Sequence, residues 1–445
     1  MTGTPARSGH RPRWTNWAGN QSCSPEAILR PRSEAELCRL VSQAAAEGRT
    51  VKVVGAGHSF TPIVCTDGYL VDLGDYAQVL QVDEAAATVT VQAGIPLWKL
   101  NETLATRSLA LENMGDIAYQ SIAGATSTAT HGTGLRFGNI SSRIVGLRLV
   151  TGDGSVLEAT ADHNPEVLDV ARVGVGALGV LSTVTLQCVP AFNLHALEQA
   201  ERVDALLERW DEEITGNDHF EFFWLPNTGW ALTKRNRRTD EPARPRPRWR
   251  ALRDDYLLSN YAFDLTCRVA RRNPDLGRRV ARLVPGTGRS EYVDRSDRVF
   301  ASPRTVKFYE MEYAIPRQNL VEALNRVREL VRRQGVQILF PVEVRAVAAD
   351  NIPLSTAFGR ETAYIAVHVY RGTAYDQYFQ GVEGIMNDYG GRPHWGKMHF
   401  QTAATLADRY PRWDEFQALR LRTDPEGRFS SPYLDRVLGQ TGGQG

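Results

Sequence analysis

Two apolar runs carry ionisable residues at alternating positions. In Pro341-Val342-Glu343-Val344-Arg345-Ala346, strand alternation puts Glu343 and Arg345 on one face and Val342 and Val344 on the other. In Tyr364-Ile365-Ala366-Val367-His368-Val369-Tyr370, His368 shares a face with Tyr364 and Tyr370 while Ile365, Val367 and Val369 face away. Charged groups are rarely buried in such runs unless they are paired or used. If the two strands pair, the Glu343 carboxylate can orient the His368 imidazole to accept a proton, with Arg345 as a neighbouring cation. A surface Glu–Arg pair and a hydrogen-bonded core histidine are the plainer readings of the same residues.

Glycine loops supply a second kind of chemistry. Val53-Val54-Gly55-Ala56-Gly57-His58-Ser59-Phe60 looks like a strand running into a dinucleotide fingerprint, but Phe60 stands where the third glycine belongs, and Pro62 argues against the following helix. Gly174-Val175-Gly176-Ala177-Leu178-Gly179 has the full spacing in the wrong context, after an expected helix at Pro165–Ala171 and before a strand. A Rossmann site is therefore disfavoured. What remains is a tight loop whose backbone N–H groups can cradle a diphosphate. The small-residue segment from Ser121 to Gly134 lets backbone approach a ligand, with the hydroxyls of Ser121, Thr126, Thr128 and Thr130 as expected donors.

These residues need elements to position them. Ser33 and Glu36 have capping-box spacing ahead of Leu37, Leu40, Val41 and Ala44, which predicts a helix. Strands are expected at Thr50–Val54, Tyr69–Leu73, Val79–Val82, Thr88–Val91, Ile144–Val150 and Leu181–Val189, giving an α+β domain up to about Pro190. Beyond it come a helix at Val203–Ile214, a strand at Phe220–Trp224, an amphipathic helix through Leu320, Leu324, Val327 and Val331, and strands at Gln337–Val347 and Ala363–Tyr370. The basic, proline-spaced run from Lys234 to Arg253 reads as a solvated loop. Residues 1–13 read as a flexible tail.

The 445 residues, 42% hydrophobic and 23% charged, describe a folded chain of two or three domains at roughly 150 residues each. With 52 Lys plus Arg against 51 Asp plus Glu, the net charge of +1 gives no whole-protein attraction to nucleic acid. Five scattered cysteines suggest neither a zinc or other metal site nor a disulfide framework, which fits a reducing cytoplasm. No run approaches the roughly 18 apolar residues of a membrane span, and the N-terminus lacks an export signal's apolar stretch; peripheral membrane contact stays open.

Four ordered motifs carry a family resemblance: Gly55–Ser59, Ile122–Gly134, Gly176–Gly179 and His394-Trp395-Gly396-Lys397. Together they resemble the aldonolactone oxidoreductases of the vanillyl-alcohol oxidase flavoprotein superfamily, a similarity running from about Trp17 to Leu438. Asn217–Phe223 and Met311–Pro316 resemble the actinobacterial gulonolactone dehydrogenase type. The resemblance implies a two-subdomain FAD-binding domain over residues 14–190, an α+β substrate or cap domain over 191–390, and a C-terminal segment, 391–445, returning to the flavin.

The same resemblance implies FAD bonded through His58 and held by Gly55, Ala56, Gly57, Ser59, Gly115, Ser121, Gly124, Thr128, His131, Gly132, Gly134, Gly176 and Gly179. It makes Glu343, Arg345, His368 and Lys397 the catalytic set, the lysine being a compact positive charge for a developing flavin anion. The implied reaction is oxidation of a secondary hydroxyl of a sugar 1,4-lactone of the L-gulono, D-arabinono or L-galactono type, leading to an ascorbate-type product. An alditol oxidase and a non-catalytic flavin-binding module are the alternatives. Gly115 falls where a small residue accompanies oxidase activity and alanine accompanies dehydrogenase activity. Oxygen and a carrier such as cytochrome c both remain open as electron acceptor.

Overall fold

The computed structural model describes residues 11–247, 268, 289–302, 305–334 and 340–441. Residues 1–10 of the expected tail, 248–253 of the basic run, Cys267 and 337–339 of an expected strand lie outside the described residues.

Three main sheets organise the chain. A parallel sheet holds β1 (Ala27–Leu29), β2 (Val51–Val54) and β3 (Tyr69–Asp72) in the order β1-β3-β2. An antiparallel sheet holds β4 (Val79–Asp83), β5 (Thr88–Gln92), β6 (Ile144–Val150), β7 (Val156–Thr160) and β8 (Val180–Gln187) in the order β7-β6-β8-β5-β4. The helix Glu34–Ala46 starts at Ser33, whose hydroxyl accepts from the Glu36 N–H at 3.2 Å, and buries Leu37, Val41 and Ala44. Leu406, Tyr410, Phe416, Phe429 and Tyr433 join the same core from the C-terminal segment.

The third sheet is antiparallel and has eight strands: β9 (Asn193–Arg202), β10 (His219–Trp224), β11 (Trp230–Thr239), β12 (Ser290–Arg295), β13 (Phe308–Pro316), β14 (Val342–Val347), β15 (Thr362–Tyr370) and β16 (Arg392–Pro393). Their order is β12-β9-β11-β10-β14-β15-β13-β16. The helices Leu320–Gln334 and Asp376–Asn387 cover one face, where Leu324, Val327, Phe379 and Met386 pack with Val342, Val344, Ile365 and Val367. Alternation then forces Glu310, Glu312, Glu343, Arg345 and His368 onto the opposite face. That face meets the first domain, with the Gly134 N–H donating to Ala346 O at 2.6 Å and His131 stacked 3.6 Å from Tyr364.

Helix and strand segregate as an α+β fold, in agreement with the sequence. Two expectations change. The helix at Val203–Ile214 breaks at Arg209 into Val203–Glu208 and Trp210–Gly216, because Arg209 leaves the helical region and reaches Glu201 at 2.9 Å. The first part of the basic run is not a loop: Lys234–Thr239 belongs to β11, and Arg235 is buried between Glu201 and Glu213 at 2.6 Å from each. Paired carboxylates on β9 and the neighbouring helix make that burial possible.

Candidate active site

Two cavities bear on the site: one is walled by the first domain alone, the other lies where that domain meets the third sheet. The larger, about 1000 Å³ with its mouth, is lined by Gly55, Ala56, Gly57, His58 and Ser59 and, across it, by Ser121, Gly124, Thr128, Gly176 and Gly179. Gly57 and Gly176 have φ of +67°, a conformation that favours glycine and turns each loop toward the cavity. No helix follows Gly57, as Pro62 suggests. Gly55 packs so closely on Ser121 that an added Cβ would come 1.9 Å from the serine hydroxyl oxygen, so the two loops act as one wall.

The smaller cavity, about 550 Å³, is lined by the polar face of the third sheet together with Gly115, Asp116, Thr130, His131, His394 and Lys397. Gln120 lines both cavities. All four expected catalytic residues converge here. In the β14–β15 register Glu343 lies opposite Ala366, yet its carboxylate comes within 4.8 Å of a His368 ring nitrogen and of Glu310. His368 faces Glu310 across β13–β15, with Nε2 3.4 Å from Oε1, while Nδ1 bonds Pro341 O at 2.8 Å. A carbonyl only accepts, so Nδ1 donates to it, and Nε2 is the ring nitrogen turned toward Glu310.

Glu343 lies 2.5 Å from Arg345, which also meets Glu221 at 2.7 Å and Asp116 at 3.7 Å. Glu310 is the centre of the remaining network. Its other oxygen contacts the Lys397 ammonium. Burial alone would raise the Glu310 carboxyl, but Lys397 and His368 outweigh it and hold it down at about 2. Burial pulls on Lys397 in the opposite sense, yet Glu310 and Glu312 keep its ammonium above its ordinary value. Glu312 meets His131 Nε2 at 3.3 Å, and burial brings His394 down to about 4.

Lys397 reaches the site because its turn docks on the end of the Gly55–Phe60 loop. The Phe60 N–H donates to Gly396 O at 2.7 Å, and the ammonium lies 5.1 Å from the Phe60 ring. At the other end of that loop, burial and then the Lys397 charge bring the His58 imidazole down to about 4. His58 is therefore neutral at ordinary pH.

Several expected ligand contacts are corrected. Thr126 and Thr128 spend their hydroxyl protons on Ile122 O and Gly124 O, at 2.8 and 3.0 Å, the usual i−4 bond of a helical threonine. Thr130 Oγ1, by contrast, is buried without a hydrogen-bond partner at the smaller cavity. Gly132 and Gly134 line neither cavity. An added Cβ on Gly132 would meet Met114 O at 2.2 Å, and on Gly134 would meet Asp218 O at 2.4 Å, so both serve close chain packing. His131 and Gly115 belong to the smaller cavity, not the larger.

Sequence reasoning passed over Glu310, Glu312, Glu221, Asp116 and Gln120. The signal for the first two was present: in Phe308-Tyr309-Glu310-Met311-Glu312-Tyr313 both carboxylates share one face of an apolar strand.

A cavity walled by glycine loops that shares Gln120 with a second, polar one fits a dinucleotide cofactor. Comparison with known proteins agrees: an FAD binding domain matches residues 25–160. The chain is an FAD-dependent oxidoreductase acting on CH–OH groups. A D-arabinono-1,4-lactone oxidase family model matches residues 184–437, and the chain is 52% identical to an L-gulono-1,4-lactone dehydrogenase of Mycobacterium tuberculosis over 96% of this chain and 99% of the relative. It is 33% identical to an L-gulonolactone oxidase of Bos taurus over 96% and 98%. This chain belongs to the D-arabinono-1,4-lactone oxidase family. Cholesterol oxidase from B. sterolicum shares the fold, with a TM-score of 0.83 at 18% identity over 98% of this chain and 99% of that one.

The Glu310–Lys397 contact is testable apart from turnover. Glu310→Gln removes the main charge that holds the ammonium up, so acylation of Lys397, followed by mass spectrometry, should begin at lower pH than in the wild type. An unchanged labelling profile would show that the contact does not govern Lys397.

Proposed function

We propose that the chain oxidises a secondary hydroxyl of a sugar 1,4-lactone, of the L-gulono, D-arabinono or L-galactono type. The observation that carries this is the convergence of Glu343, Arg345, His368 and Lys397 on one polar cavity sharing Gln120 with the cofactor cavity. FAD, when bound, supplies the hydride acceptor. Nε2 of His368 takes the hydroxyl proton, and Glu310 stabilises the imidazolium that results. Arg345, held by Glu343 and Glu221, orients the substrate oxygens through its planar guanidinium. Lys397 would supply positive charge to a cofactor that gains negative charge on reduction. The oxidised lactone then enolises to an ascorbate-type ene-diol.

Anaerobic stopped-flow mixing with a panel of lactones and alditols tests the assignment. A lactone should bleach the flavin fastest. His368→Ala should slow reduction by about 10²–10⁴-fold, and Glu343→Gln by less. A panel led by alditols would favour the alditol oxidase reading, and unchanged rates in both variants with flavin content intact would remove the proton-acceptor role.

His58 is the proposed point of covalent attachment. Acid-precipitated protein should remain yellow, and His58→Ala should release its flavin. Because His58 stays neutral down to about pH 4, attachment to added FAD should be flat between pH 5.5 and 8. An ordinary imidazole would lose rate below about 6.5. Colour that washes out of the wild type completely would refute the bond.

The electron acceptor turns on Gly115. Its φ is outside the left-handed region, so a side chain is not barred by backbone strain. An added Cβ would lie 3.1 Å from His131 O and 3.6 Å from Thr130 Cγ2, a crowding of a few tenths of an ångström. Gly115→Ala should therefore leave anaerobic reduction nearly unchanged and slow reoxidation by oxygen markedly. A wild type that ignores oxygen but reduces cytochrome c would favour the carrier-protein reading, as the name of the 52% identical relative suggests. Loss of both half-reactions in the variant would make Gly115 a packing position.

Localisation in the cytoplasm belongs to the same proposal. Among the described residues no helix is long and apolar enough to cross a membrane.

A further inference from the structure

We infer that Lys52 is a binding residue for the diphosphate of FAD, its ammonium meeting a counter-charge that the protein itself does not provide. Lys52 sits on β2, is 2% exposed and lines the cofactor cavity together with the Gly55–Ser59 and Gly174–Gly179 loops. Nζ donates to Gly176 O at 3.0 Å and to Phe429 O at 2.8 Å. An ammonium has three donors, and two carbonyls leave one for the cavity.

Both partners are neutral, which is unusual for a buried ammonium. The acids packed nearest are committed elsewhere. Asp424 accepts from the Arg428 and Phe429 N–H groups at 2.7 Å each, and Asp435 accepts from the Ser430 hydroxyl. The neighbouring cation, Arg420, points to Gly439 O at 2.8 Å. The 174–179 loop brings no titratable side chain. Burial, then Arg420, outweigh Asp424 and Asp435 and pull the Lys52 ammonium down to about 7. A diphosphate placed between the glycine loops reverses this by adding negative charge beside Nζ. The bound state should then hold a proton that the empty state lacks just above neutrality.

The plainer role is a strut tying β2 to the 176 loop and the C-terminal segment. Removing a strut alters stability, but it neither discriminates diphosphate from nucleoside nor takes up a proton. Flavin-free full-length protein from riboflavin-limited cells, titrated calorimetrically with ADP-ribose at pH 8 in buffers of different ionisation enthalpy, separates the two. The wild type should take up close to one proton per ADP-ribose bound. Lys52→Met should bind ADP-ribose about 10- to 100-fold more weakly, the size expected for one lost charged hydrogen bond, without proton uptake. Adenosine should bind both proteins equally.

Equal ADP-ribose affinity in the two proteins, or equal weakening of ADP-ribose and adenosine, overturns the proposal. Should Lys52→Met fail to fold, Lys52→Gln takes its place in the same titrations, with the same two overturning outcomes. A wild type that binds FAD normally while Lys52→Met matches it in ADP-ribose affinity leaves the cofactor reading standing and removes only Lys52. A wild type that binds neither FAD nor ADP-ribose overturns both.

Discussion

Glu310 lies buried between Lys397 and His368, and the architecture around it is what makes such a charge tolerable. A carboxylate taken out of water costs several kcal/mol unless its partners are fixed in place. His368 is fixed because β13 and β15 pair in a register that sets the two side chains opposite each other. Lys397 is fixed because its turn is bonded to Phe60 on the cofactor loop. The apolar underside of the third sheet, packed on two helices, prevents either strand from rotating its charged face toward solvent. One ion pair therefore depends on both domains being docked, and the site exists only in the assembled molecule.

That dependence joins the two ends of the chemistry. Lys397 neutralises Glu310 and, from the same position, helps keep His58 uncharged. The cation that neutralises Glu310 thus also favours the neutral form of the histidine in the glycine loop beside it. Preorganised charges of this kind need no rearrangement during reaction, and a cavity that excludes water makes each of them count for more.

The alternation of Glu343, Arg345 and His368 was legible because a period of two needs only local sequence. Their partners were not. Pairing register is decided by which strands lie side by side, and β13 is inserted next to β15 from an earlier part of the chain, so Glu310 stands directly opposite His368 and joins Glu343 beside it. The same limit affected Arg235, whose burial depends on two carboxylates 22 and 34 residues away in sequence. The glycine loops were readable as a cradle from composition. Which glycines face the ligand and which face the chain, as Gly132 and Gly134 do, is set by packing that no local pattern contains.

The charge of the smaller cavity bears on which substrate the proposed reaction accepts. Asp116, Glu310, Glu312 and Glu343 line it against two full cations, Arg345 and Lys397. Both cations are already engaged by these carboxylates. A sugar acid in its open, ionised form would bring one more negative charge into a space with no free cation among the described residues, and at the short range of a dry cavity that repulsion is poorly screened. Closing the acid to a lactone removes the charge while keeping the hydroxyls that carboxylates and a guanidinium can bond. In the proposed reaction, the excess of carboxylates that makes the site costly to bury would therefore disfavour the hydrolysis product against the neutral ring.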